Sequence, residues 1–290
     1  MKILVTGVSG QVGYELQRSL QGLGEIIAVD RAQMDLSNLQ QVRDVIRAVK
    51  PNLIVNPAAH TAVDKAESEP ELAFRINCEA PGVMAEEANK VGAGIVHYST
   101  DYVFDGSKVG AYVETDPTCP INVYGASKLA GEQALAASGV PHLILRTSWV
   151  YGMRGKNFLL TMLRLAAERD ELRIVGDQFG SPTWSRTIAD TTAQLLARLD
   201  AKAGLLPAMA GEQGGIYHLT ASGSTSWHGF TQQIVAHPSV ANKPKVSAIA
   251  THEYPVPARR PHNSVMAAKR LAALGIHLPS WQAALELCQA

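Results

Sequence analysis

Eight residues, Thr6-Gly7-Val8-Ser9-Gly10-Gln11-Val12-Gly13, constrain this chain more than any other segment. They follow an apolar run, Lys2 to Thr6, that reads as a strand, and they open a helix over Gln11 to Gln21 with Val12, Leu16 and Leu20 on one face. Glycines at a strand-to-helix turn let backbone amides and the helix N-terminus approach a pyrophosphate. A glycine triplet alone is a weak signal. Here the strand-turn-helix setting comes with an acidic residue, Asp30, closing the second strand (Glu25 to Asp30) about 20 residues on, where a ribose hydroxyl is expected. The segment therefore reads as a dinucleotide-binding loop; the plainer alternative is a glycine-rich turn that only packs helix on strand.

Short apolar runs alternate with helical patterns through the first half, the mark of βαβ units around a parallel sheet. Ser37 reads as the cap of a helix carrying Leu39, Val42, Val45, Ile46 and Val49 on one face. Leu53 to Asn56 reads as a strand, about Pro70 to Val91 as one long helix, Gly94 to Ser99 as a strand, Val123 to Ala137 as a helix and His142 to Arg146 as a strand. Beyond Trp149 the rhythm loosens, with helices around Phe158 to Glu168 and Arg186 to Leu199, a short strand Leu172 to Val175, and a glycine-rich surface loop from Ala203 to Gly215. The expected fold is α/β: a Rossmann-type doubly wound parallel sheet with a smaller C-terminal substrate domain. The dinucleotide-binding domain spans 1–150 with a return segment around 185–220, and 151–184 with 221–290 form the substrate-binding domain.

Composition removes several classes of function. Lys plus Arg and Asp plus Glu both number 26, a net charge of zero, which does not suit a general binder of nucleic acid or anionic membrane. No stretch approaches the ~20 apolar residues of a membrane span, and the N-terminal apolar run is too short for a signal-peptide core. Three widely spaced cysteines, Cys78, Cys119 and Cys288, read as buried thiols in a reducing compartment, so the expectation is a cytoplasmic protein. His60 has no histidine or carboxylate at ligand spacing and no HExxH occurs, so no metal is expected.

Tyr124 and Lys128 lie four apart on an expected helix, so both side chains reach a common ligand, and a neighbouring ammonium lowers a phenol's pKa. Such a pair arises by chance in many helices. Ser99-Thr100-Asp101, at the carboxyl end of the fourth strand, strengthens it. Together with the glycine loop, Asn56 to Glu67, His97-Tyr98-Ser99-Thr100-Asp101-Tyr102-Val103-Phe104-Asp105-Gly106, Arg146 to Tyr151, Val175 to Thr183 and Ala258 to Ser264, these residues resemble the extended short-chain dehydrogenase/reductases, nearly end to end. Within that family they are most similar to the members that reduce the C4 keto group of dTDP-4-dehydro-L-rhamnose to dTDP-L-rhamnose.

The resemblance implies roles residue by residue. Tyr124 is the general acid toward the carbonyl oxygen, Lys128 lowers its pKa and holds the nicotinamide ribose, and Thr100 hydrogen-bonds the carbonyl. NADPH or NADH supplies the hydride, bound by Gly7, Gly10, Gln11, Val12 and Gly13 at the pyrophosphate, Asp30 and Arg31 at the adenosine ribose, Asp35 and Leu36 at the adenine, and Ala59, His60, Thr61 and Tyr98 along its length. Thr100, Asp101, Trp149 and Arg260 face the sugar nucleotide. Bland alternatives stand beside these: Trp149 as simple core, Arg259 and Arg260 as surface ion pairs, Arg31 as a solvated side chain, and Asp64, Lys65 and Glu67 as a solvated charge run. Some members of the family form magnesium-bridged dimers through acidic side chains. Glu15 matches one such position, but Arg186 stands at another, so a homodimer is open and a bridging metal is not expected. Two other functions remain in play, epimerisation or dehydration of a nucleotide sugar and a non-catalytic regulatory subunit; Asp101-Tyr102 in place of Asp-Glu weakens the dehydratase.

Overall fold

The computed structural model describes residues 1–290, with side chains for all but 202 and 203. Six strands form the central sheet: β1 (Lys2–Val5), β2 (Glu25–Ala28), β3 (Leu53–Asn56), β4 (Gly94–Thr100), β5 (His142–Thr147) and, after the two-residue strands β6 (Val150–Tyr151), β8 (Phe179–Gly180) and β9 (Thr183–Trp184) and strand β7 (Glu171–Val175), β10 (Gly215–His218). Their order is β10-β5-β4-β3-β1-β2 and every neighbouring pair is parallel. β3 and β4 are buried along their whole length because helices cover both faces, which is why they read as continuous apolar runs. The strand order turns back between β1 and β3, and open sheets of this kind take ligands at such a reversal, beyond the carboxyl ends of the strands.

On one face pack α1 (Gln11–Ser19), α8 (Ser185–Ala203) and α9 (Leu205–Ala210); on the other lie α2 (Leu39–Val49) and α5 (Ala80–Val91), against separate cores built on Leu16, Leu196 and Tyr217 and on Val42, Ile46 and Met84. The helix α6 (Val123–Ala137) carries Tyr124 and Lys128. A third core, with Tyr151, Leu159, Phe230, Ile234 and Trp281, joins α7 (Phe158–Glu168), α10 (Trp227–Ala236) and α12 (Trp281–Gln289) beyond the strand ends, with β7 paired to β12 (Lys245–Ile249) and β8 to β11 (Thr225–Ser226), while α11 (Lys269–Ala273) adds Leu271 to the first core.

Four local expectations are corrected. Asn38, not Ser37, caps α2: its side chain accepts from Gln41 N, while Ser37 donates to Asp35. The expected long helix is divided into α4 (Pro70–Phe74), a π-helical turn (Arg75–Glu79) and α5, preceded by α3 (Val63–Ser68). The π turn releases Asn77, whose buried amide bonds His60 and Ser127. The expected loop from Ala203 to Gly215 holds α9, where Leu205, Ala208 and Met209 meet the sheet; local glycines lost to tertiary burial. Of the three cysteines only Cys288 is buried, and Cys119 is exposed. Among the described residues no helix is long and apolar enough to cross a membrane.

Candidate active site

A cavity of about 720 Å³ runs along the carboxyl ends of β1 to β5. Its walls come from the turn after each strand: Gly7 to Gly13 after β1, Arg31 and Met34 to Leu36 after β2, Pro57 to Ala59 and Thr61 after β3, Tyr98 to Tyr102 at the end of β4, and Thr147 to Val150 after β5. Tyr124 and Lys128 enter from α6, and Phe158 and Trp227 from α7 and α10. The chemistry at one end is set by side chains and at the other by backbone.

The glycine loop is backbone-built. Gly7 has φ +56°, and a Cβ on Gly13 would stand 2.3 Å from the Gly7 carbonyl oxygen, so α1 starts hard against the turn only because residue 13 has no side chain. Gly10 precedes α1 without any side-chain cap, leaving first-turn amides at the cavity for an anionic group. Gln11 is steadied by Asn157, whose Nδ2 donates to its Oε1 at 2.8 Å. These features fit a dinucleotide pyrophosphate.

At the other end Thr100 Oγ1 donates to Asp101 Oδ1 (3.0 Å) and accepts from Tyr102 N (3.2 Å). The Tyr124 phenol lies beside them, its ring edge-on to Tyr102 with centroids 5.9 Å apart. Desolvation pushes the Tyr124 pKa up to about 12, opposed by a hydrogen bond with Thr100. Lys128, 2% exposed, donates to the Tyr98 carbonyl oxygen at 2.6 Å and lies 3.1 Å from His97 Nε2; burial brings its pKa down to about 8, against the attraction of Glu132. The expected depression of the Tyr124 pKa by Lys128 is therefore not what this structure displays. The ammonium is engaged with β4 and the phenol keeps its proton. Burial likewise pushes Asp101 up to about 7, opposed by hydrogen bonds from Ser264 and Thr100.

Trp149 occupies the left-handed region at φ +47°, a conformation that costs a non-glycine residue of order 1–3 kcal/mol. Its ring stacks flat on Trp227 (centroids 3.4 Å, 4°), Phe158 tilts against Trp227 at 4.5 Å, and a Cβ on Gly180 would meet the Trp149 indole at 2.4 Å. Trp227, Phe158 and Lys156 also line the cavity and are not marked by any sequence motif.

Three candidates do not line the cavity. Asp30 accepts from Ala32 N (2.9 Å) and Gln33 N (3.1 Å) and caps its own turn. The side chain of His60 sits 3.7 Å from Glu69, and its backbone is held by Asn77. Arg260 pairs with Asp64 (2.8 Å) and donates to the Ala258 carbonyl. Asp64 and Glu67 are thus structural, the latter accepting from Val123 N at the start of α6. Tyr98 lines the cavity, but its hydroxyl is bonded to Thr192 at 2.7 Å. No cluster of three metal-ligating side chains occurs among the described residues, and Arg186 lies beside Asp190.

A parallel sheet reversing at β1/β3, a glycine-opened helix and a Tyr-x-x-x-Lys helix beside Thr100 define an extended short-chain dehydrogenase/reductase. The family described as RmlD substrate binding domain matches residues 1–290. A dTDP-4-dehydrorhamnose reductase of Burkholderia thailandensis is 51% identical over 297 residues, covering 99% of this chain and 98% of the relative. The solved structure of a dTDP-4-dehydrorhamnose reductase from Clostridium acetobutylicum superposes with a TM-score of 0.91 at 37% identity, covering 100% of this chain and 98% of that one. The Bacillus anthracis reductase, solved in complex with NADP, gives 0.90 at 36% identity, covering 99% and 98%. The chain belongs to the dTDP-4-dehydrorhamnose reductase family.

Proposed function

We propose that this protein reduces the C4 keto group of dTDP-4-dehydro-L-rhamnose to give dTDP-L-rhamnose, with NADPH or NADH as the reductant. The observation that carries the reading is the protonated Tyr124 phenol beside Thr100 and Asp101, above a glycine-opened helix, in a chain similar over its whole length to such reductases. The reduced nicotinamide supplies a hydride to C4 when bound. Tyr124 donates its phenolic proton to the carbonyl oxygen, so one C–H and one O–H bond form as the C=O double bond becomes single. A phenol with a pKa near 12 stays protonated at neutral pH and is still a stronger acid than the alkoxide's conjugate alcohol. Thr100 orients the carbonyl, and Lys128 in its ammonium form offsets the charge left on Tyr124. Asp101, buried behind Thr100, fixes the threonine side chain by accepting its hydroxyl hydrogen at 3.0 Å. Trp149, fixed between Gly180 and Trp227, forms the wall of the sugar-nucleotide side.

Purified protein mixed with NADPH and dTDP-4-dehydro-L-rhamnose should oxidise one reduced cofactor per product formed, and should act more weakly on GDP- and UDP-linked keto sugars. Interconversion of sugars without net oxidation of cofactor would overturn the reductase and leave an epimerase.

A further inference from the structure

Three polar side chains run through the otherwise aliphatic middle of the sheet and stop at Lys128. Thr6, immediately after β1, has its Oγ1 2.6 Å from Asn56 Oδ1; Asn56, on β3, has its Nδ2 3.1 Å from His97 Nδ1; His97, on β4, has its Nε2 3.1 Å from Lys128 Nζ. Asn56 is fully buried and Thr6 and His97 are each 1% exposed, on the sheet face that also carries Leu4, Ile54 and Ile95. A buried polar group left unpaired costs about 1–3 kcal/mol, so a row of three through an aliphatic layer is explained by what it terminates on.

Lys128 Nζ has two acceptors within reach, the Tyr98 carbonyl and His97 Nε2. An ammonium only donates, so it requires a lone pair on Nε2 and hence a proton on Nδ1. The Asn56 carboxamide and Thr6 hydroxyl each offer a donor and an acceptor. Turned by 180°, the carboxamide makes the same two contacts with the roles exchanged, and it supports the tautomer that Lys128 needs. Burial and the charge on Lys128 hold the His97 pKa well below its ordinary value, so the imidazole is neutral and free to accept. The other groups facing Lys128 are Tyr124 and Glu132 on its own helix; Glu132 is itself tied to Arg146 of β5 by bonds of 2.9 and 2.6 Å.

We propose that His97 is a positioning residue for Lys128, its Nε2 lone pair, backed by Asn56 and Thr6, keeping the buried ammonium charged and aimed at the cavity. The inference rests on the reading of Lys128 given above only for its effect on turnover. The contact itself is read without substrate, from the NMR titration of lysine Cε carbons, with Lys128 assigned by the loss of its line in Lys128→Met. Wild type should titrate near pH 8. His97→Leu should titrate about one pH unit lower, a tenfold loss of proton affinity, and His97→Gln, which keeps an acceptor, should return most of the way. The basic limb of kcat/KM should move with it, giving about a fivefold deficit for His97→Leu at about pH 8 that approaches about tenfold above about pH 9 and closes toward about pH 6. An unmoved or upward-shifted Lys128 titration, or a deficit equal at every pH, overturns the proposal. If His97→Leu does not fold, ¹⁵N spectra of wild type decide: a bare Nε2 with the proton on Nδ1 is expected, and a proton on Nε2 overturns it. Altered titration in a protein that proves inactive on the keto sugar leaves this inference standing and removes only the reductase.

Discussion

The two ends of the cavity are made of different material. The end we propose for the cofactor is built within residues 7 to 61, mostly from backbone at the turns after β1, β2 and β3, and its tolerances are those of glycine. The end we propose for the sugar nucleotide gathers Thr100, Tyr124, Trp149, Phe158 and Trp227 from five separate stretches of chain spread over more than a hundred residues. One end is preorganised by chain geometry, the other by aromatic packing and buried charge. The difference teaches where each end is vulnerable: backbone sites fail when a side chain is added, side-chain sites when one is removed.

The largest expected effect lies at the chemical centre. Tyr124→Phe removes the proton donor and leaves the ring and its edge-on packing with Tyr102, so turnover should fall by about 10² to 10⁴. Cofactor affinity, measured by fluorescence titration, should stay within about twofold of wild type. A variant that keeps its turnover would remove Tyr124 from this role and erase the division between the two ends.

A paired substitution sharpens the contrast. Gly13→Ala places a methyl 2.3 Å from the Gly7 carbonyl oxygen and 3.0 Å from Val8 Cα, backbone atoms with nowhere to go, so overpacking of about 1–3 kcal/mol should appear as lower thermal stability and weaker cofactor binding. Trp227→Ala instead frees Trp149, losing a stacked pair worth about 0.5–1.5 kcal/mol beyond its buried area. KM for the nucleotide sugar should rise several-fold to about tenfold with cofactor affinity intact, and the near-ultraviolet circular dichroism of the stacked indoles should vanish. If both variants weakened cofactor and sugar alike, the ends would be one coupled unit.

The same division explains what could be read from sequence. The α/β order and the glycine loop were legible because both follow from local rules: alternation of apolar runs and the conformational freedom of Gly7 and Gly13. Tyr124, Lys128 and Thr100 came from motif and resemblance, and the structure gathers them at one end of the cavity. Trp227 and Phe158 carry no local signal, because an aromatic residue opening a helix looks the same whether it fills a core or walls a cavity. Asp30 and Arg260 have the right chemistry at the right place in the chain, but the structure gives their charges nearer partners, the amides of Ala32 and Gln33 for the first and Asp64 for the second. The π turn at Arg75–Glu79 was invisible for a related reason: its cost is met by Asn77 binding His60 and Ser127, contacts far away in sequence. Apolar burial alone made a helix of Leu205–Ala210 despite its flanking glycines.

The smallest expected effect concerns the choice of cofactor. A carboxylate closing the second strand favours the ribose 2′-hydroxyl of NADH and repels the 2′-phosphate of NADPH. Here the Asp30 oxygen Oδ1 is committed to the amides of Ala32 and Gln33, which weakens that discrimination at its source. Arg31 lines the cavity, 78% exposed, with its Nε 3.3 Å from Asp35 Oδ2, and an exposed ion pair of that kind contributes only about 0–1 kcal/mol. Exchanging Asp35 for a phosphate oxygen therefore costs the guanidinium little, and the geometry favours tolerance of both cofactors. Wild type should use NADPH and NADH with kcat/KM values within about tenfold, a difference below about 1.4 kcal/mol. Arg31→Ala should lower kcat/KM for NADPH by about fivefold, close to 1 kcal/mol, and leave NADH within about twofold. Equal losses with both cofactors would show that Arg31 holds the loop rather than the phosphate. A wild-type preference for NADH beyond a hundredfold would show that Asp30 leaves its turn when the cofactor binds, and that this corner of the backbone-built end is less fixed than the glycines around it.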